Sequence, residues 1–232
     1  MEPSTPGKQP SAARPILIDR AAEYVLQLHN QRHDPRRVFH TYQRAQATVD
    51  RTAEIARGES VNGPELEAAL LAAWFLATGF LYDPEEWLSY SLREASKFMA
   101  REEYPEEKQR RVVQCLNAAG SDRPAEPAHR LLADAHRITH HIEQFADGNA
   151  LLRLERELLD QQHYERMEWA KYQLQELLNL RLYTAYARRG YEAERSRLIL
   201  QQKEAVEKAE RKKQRDTPPP SGGPFSQLEE NA

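Results

Sequence analysis

Apolar residues return every three or four positions along most of this chain, the period of an amphipathic helix. Residues 16–28 carry Ile16, Ile18, Ala21, Ala22, Val25 and Leu28 on one face. Residues 38–57 have a weaker stripe through Tyr42, Ala45, Val49 and Ala53. Pro64 opens a third helix, predicted to run to about Thr78 and to end at Gly79. Asp83-Pro84-Glu85-Glu86 and Tyr104-Pro105-Glu106-Glu107 open two more, with acids placed to complement a helix N-terminus. Residues 128–145 form the next, Asp147-Gly148-Asn149 a turn, and residues 151–159 another helix. A long helix over 163–188 follows, with Trp169, Tyr172, Leu174, Leu177, Leu178 and Leu180 inward, and Gly190 separates it from the last, 191–213. No segment alternates convincingly with period two, so the expected fold is all-α.

Composition sharpens this. With 40% apolar and 30% charged residues, the chain suits helices that bury one stripe and solvate the rest. The strong helix formers Ala, Leu, Glu, Gln and Arg dominate. Residues 1–14 and the stretch from Thr217, TPPPSGGPFSQLEENA, read as disordered tails. Residues 15–200 read as one helical domain and 201–216 as a charged, solvated helical extension. A net charge of −3 gives no general reason to expect nucleic acid as a partner. The single Cys115 excludes an intramolecular disulfide and a cysteine-cluster metal site. The N-terminus lacks an apolar secretory core. The longest apolar run, residues 68–81, is shorter than the roughly 18 residues that suggest a membrane span. It reads as a buried core helix, and the expected location is the cytoplasm.

Candidate chemistry is sparse. Of eight histidines, His136 and His140 stand four apart on one predicted helix face, a spacing that can bind a divalent metal or simply decorate a surface. No third ligand stands at a recognisable spacing, and Asp134, two residues before His136, points to a different face. There is no glycine-rich phosphate loop and no GxSxG. The paired carboxylates 85–86, 102–103 and 106–107 are explained by helix capping.

Five segments in order resemble a bacterial branch of the HD superfamily of metal-dependent phosphohydrolases: FHTYQRA (39–45), AAWFLATGF (72–80), LREAS (92–96), LLADAH (131–136) and LRLYTAYARRGYEAER (180–195). The resemblance spans roughly residues 16–200 and implies a multi-helix bundle. It also implies a metal site built from histidines, a His-Asp doublet and an aspartate. Here Arg44 stands at the first histidine position, Leu76-Ala77 at the doublet, Leu92 at a further histidine and His136 at the last aspartate; His40, Thr78, Gly79, Glu94 and Asp134 keep the family residues. The implied reading is therefore a catalytically inactive relative with no metal cofactor. It would act as a binding or regulatory module for an anionic or nucleotide ligand held by Arg44, His40, Asp134 and His136, or for a partner protein or second copy. In the opposing reading, leucines fill the old cavity and Arg44 reaches outward. A phosphohydrolase with a site rebuilt around His40, Asp134, His136 and His140 is a further alternative. So is a component of bacterial nucleotide signalling or cyclic-nucleotide defence, as in Pycsar-type effectors.

Overall fold

A computed structural model describes residues 15–119, 121 and 123–216. The two tails expected at 1–14 and 217–232 lie outside the described residues. Nine α-helices and no strand are present among the described residues. They are α1 (Pro15–Gln31), α2 (Tyr42–Gly58), α3 (Gly63–Leu76), α4 (Trp87–Arg101), α5 (Glu106–Ala119), α6 (Pro127–His141), α7 (Phe145–Asp160), α8 (Arg166–Asn179) and α9 (Ala185–Asp216). The fold is the all-α bundle that the periodicity predicts.

The apolar run lies at the centre. Every residue of α3 from Ala68 to Leu76 is buried, because α1, α2, α4, α5 and α6 all pack around it. A helix that is apolar on every side can be stable only when covered on every side. The stretch Gly63–Leu81 is long and apolar enough to cross a membrane, yet 78% of its 18-residue apolar window is buried inside the bundle. Pro64 sits in the first turn, as predicted.

Gly79 does not end this helix. The helix stops at Leu76, and Thr78–Leu81 forms a tight 3-10 turn. There the Gly79 amide donates to Ser91 Oγ at 2.9 Å, and that hydroxyl donates to the Leu76 carbonyl, also at 2.9 Å. One serine thus ties the end of α3 to α4. Nearby, Glu94 of α4 is almost fully buried and accepts hydrogen bonds from Tyr24 of α1 (2.9 Å), Tyr82 (2.7 Å) and Lys97 (2.8 Å). Burial alone would raise its carboxyl, but these donors together hold it below the usual range.

Three boundaries differ from the periodicity, each for a tertiary reason. The second helix starts at Tyr42, because Thr41 caps it and the Phe39 and His40 amides are taken by Glu155. The expected turn at Asp147-Gly148-Asn149 lies inside the first turn of α7; the break instead falls at 142–144, where Gln144 adopts a left-handed conformation. The long helix expected over 163–188 is interrupted at 180–184, whereas Gly190 sits within α9 with open space around it. Beyond residue 200, α9 continues unbroken, and the ion pair Lys171–Glu210 (2.7 Å) holds its charged portion against α8.

Candidate functional site

The site lies where the loop before α2 meets α6 and α7. Its anchor is Glu155 on α7, which is 2% exposed. One carboxylate oxygen accepts from the backbone amides of Phe39 (2.7 Å) and His40 (3.0 Å), and the other accepts from His40 Nδ1 at 2.5 Å. Burial works to raise the Glu155 carboxyl, but these three donors outweigh it and keep it ionised, below the usual range. The His40 ring stacks on Phe80 with centroids 3.9 Å apart, and burial pushes its pKa down against the pull of Glu155. A neutral imidazole that donates from Nδ1 leaves Nε2 as an acceptor.

The α6 histidines gather beside it. The rings of His136 and His140 are 4.0 Å apart, and those of His40 and His140 are 6.2 Å apart. His140 Nδ1 lies 3.2 Å from the His136 carbonyl oxygen, which can only accept, so this nitrogen carries the proton. His140 Nε2 and His136 Nδ1 are both buried without a partner. Burial is the main force that pushes His136 down to about 3 and His141 to about 4, with His140 also well below the ordinary histidine value, and the neighbouring histidines and arginines add to it. The cluster is therefore neutral at physiological pH.

Arg44 supplies the positive charge. Its guanidinium lies 4.0 Å over the Phe39 ring, and Nη1 donates to the Thr139 carbonyl at 2.6 Å. It reaches α7 at Gly148, where a Cβ would sit 3.3 Å from Nη2; the glycine inside the helix makes room for the arginine. Burial lowers the Arg44 pKa, with Glu155 opposing. Among the described residues no carboxylate lies within 4 Å of it. Arg44 therefore turns inward rather than out to solvent. Leu76 is buried in the core and Leu92 packs against it.

Of the four residues singled out from sequence, His40, Arg44 and His136 come together, whereas Asp134 faces away from them. Fully buried on α6, Asp134 accepts from the Tyr183 amide (2.9 Å) and the Thr184 amide (2.7 Å). Thr184 Oγ1 in turn accepts from the Ala187 amide, starting α9. Burial raises the Asp134 carboxyl above its usual range despite these amides. Its role is to fix the α8–α9 corner, which is why the long predicted helix breaks there. Asp134→Ala, which strands the buried Thr184 amide and the part-buried Tyr183 amide, is expected to destabilise the fold by about 3 kcal/mol in a denaturant titration. An effect under about 1 kcal/mol would mean the corner holds without it.

Glu155, Thr139 and Gly148 complete the site and gave no sequence signal. Glu155 sits in LLRLERELLD, where the leucine pattern suggests the inward face; yet Leu151, Leu154 and Leu158 are exposed and Glu155 points in. Among the described residues no three His, Cys, Asp or Glu side chains converge closely enough to hold a metal ion as they stand.

Comparison of the chain with protein-family models, with curated proteins and with solved structures found no match.

Proposed function

We propose that this protein is a binding or regulatory module whose ligand carries an anionic group, such as a phosphate, recognised by Arg44. The supporting observation is the inward-turned guanidinium with no carboxylate partner among the described residues, beside imidazoles held neutral by burial. A half-buried cation gains most from an anion that can take its remaining N–H donors. Neutral His136 and His140 add hydrogen-bonding capacity without adding charge. The resemblance to the HD superfamily supports the same reading: the chain would be a relative in which arginine and leucines have replaced metal ligands. In that reading it works in the cytoplasm, within nucleotide signalling or defence.

Calorimetric titration with inorganic phosphate and with a 3′,5′-cyclic nucleotide tests this. Arg44→Ala is expected to weaken binding about 10- to 100-fold, the worth of one charge-assisted contact. Unchanged affinity, or no binding to the native protein, would overturn the Arg44 pocket.

A second reading is a metal-dependent phosphohydrolase rebuilt on His40, His136 and His140. It is favoured by the Glu155–His40 hydrogen bond, since a carboxylate behind a histidine orients metal ligands. It requires the rings to move, and Asp134 is committed elsewhere. Elemental analysis of the purified protein separates the two: about one equivalent of a transition metal, lost in His136→Ala, supports the second reading.

A further inference from the structure

The charged half of α9 borders a groove of about 810 Å³ formed with α7 and α8. Its floor is apolar, made by Met167, Trp169, Ala205 and Ala209, while its rim carries Arg166, Lys208, Lys212 and Arg215. The lining has six cations against two carboxylates, Glu165 and Glu168. Arg153 is committed to Glu157 at 2.9 Å. Among the described residues, Arg166, Lys208 and Lys212 have no carboxylate within ion-pair distance. A cationic rim over an apolar floor selects a segment that offers apolar anchors followed by acids.

We infer that this groove receives the chain's own segment Pro224-Phe225-Ser226-Gln227-Leu228-Glu229-Glu230. Phe225 and Leu228 are three residues apart, the spacing of two anchors on one face, and Glu229 and Glu230 follow at once. Glu229 and Glu230 match the unpaired Lys208 and Lys212. The reach is sufficient. From Asp216 back to Lys208 is about 12 Å along the helix, and the eight residues 217–224 span up to about 26 Å when extended. The tether also holds the segment at a local concentration in the millimolar range, so a contact of modest intrinsic affinity is populated.

Zero-length carbodiimide crosslinking of the full chain, read by peptide mass spectrometry, tests the assignment. Amide bonds from Lys208 or Lys212 to Glu229 or Glu230 are expected. In Phe225→Ala/Leu228→Ala, which keeps the tether, the lysines and the acids, their yield should fall at least fivefold. Equal yield in that variant would mean tethering alone brings the groups together, and would overturn the inference. So would the absence of these crosslinks. Crosslinks found only between isotopically light and heavy chains in a mixed sample would assign the groove to a second copy instead.

Discussion

Gly79→Ala should destabilise this protein more than alanine at any other glycine among the described residues, by at least about 4 kcal/mol. A Cβ at this position would lie 1.6 Å from the Trp87 carbonyl oxygen and 2.8 Å from Ser91 Oγ. The first neighbour is backbone at the start of α4, so no side-chain rotation relieves the overlap. The 3-10 turn and α4 would have to separate, breaking the Gly79–Ser91–Leu76 hydrogen bonds beneath them. For a chain of this size the melting temperature should drop by roughly 10 °C or more. Gly190→Ala provides the internal comparison: its Cβ would meet open space inside α9, and alanine there should be neutral or stabilising by about 0.5–1 kcal/mol. Equal melting temperatures for Gly79→Ala and the native protein would refute the close packing of α4 on this turn.

Acid should begin to destabilise the bundle well above the pH at which its carboxylates titrate. His29 and His141 are pushed by burial to about 4, and His136 to about 3. In the unfolded chain each titrates near 6.5. The depressed folded value means that the unfolded state binds protons first as pH falls. The stability these groups permit is complete above about 6.5 and declines progressively toward 4 and 3. Glu155 and Glu94, also depressed, add losses in the same direction at lower pH, while the raised Asp134 opposes them. A tenfold difference in proton affinity between the folded and unfolded chain is worth about 1.4 kcal/mol. Discounted for partial solvent access at His29, His136 and His141, the loss by about pH 4.5 is on the order of 5 kcal/mol, comparable to the stability of many domains. Denaturant titrations at about pH 7.5, 6 and 5 should show stability falling at each step, with a shallower slope in His136→Gln. A flat profile over that range would mean that the cluster is hydrated rather than buried.

The candidate site was only half legible in the sequence. The resemblance to the HD superfamily grouped His40 with Arg44; helical period alone does not, because His40 lies outside α2 in the loop that Glu155 holds. That His136 and His140 share a face follows from the same period. Their meeting with His40 rests on α2 packing against α6, where Thr48 Oγ1 and Thr139 Oγ1 lie 3.1 Å apart, and no local pattern encodes that. Glu155 was illegible for a stronger reason. Its helix exposes Leu151, Leu154 and Leu158 and buries a carboxylate, the reverse of what an apolar stripe indicates. Only the amides of Phe39 and His40, over a hundred residues earlier, explain why an acid is stable inside.

The sequence by itself determined the all-α class, the burial of the apolar helix and the helix starts marked by Pro64 and Pro105. These depend on period, propensity and chain stiffness within a few residues. Tertiary structure decided where helices stop without proline or glycine, as at 180–184, where Asp134 of α6 takes the backbone amides. It also decided that Gly79 is needed for close approach rather than to end a helix, that Gly148 lies within α7 against Arg44, and that Arg44 faces inward. In each case the deciding partner is distant along the chain, and its contact energy exceeds the weak local preferences that sequence patterns report.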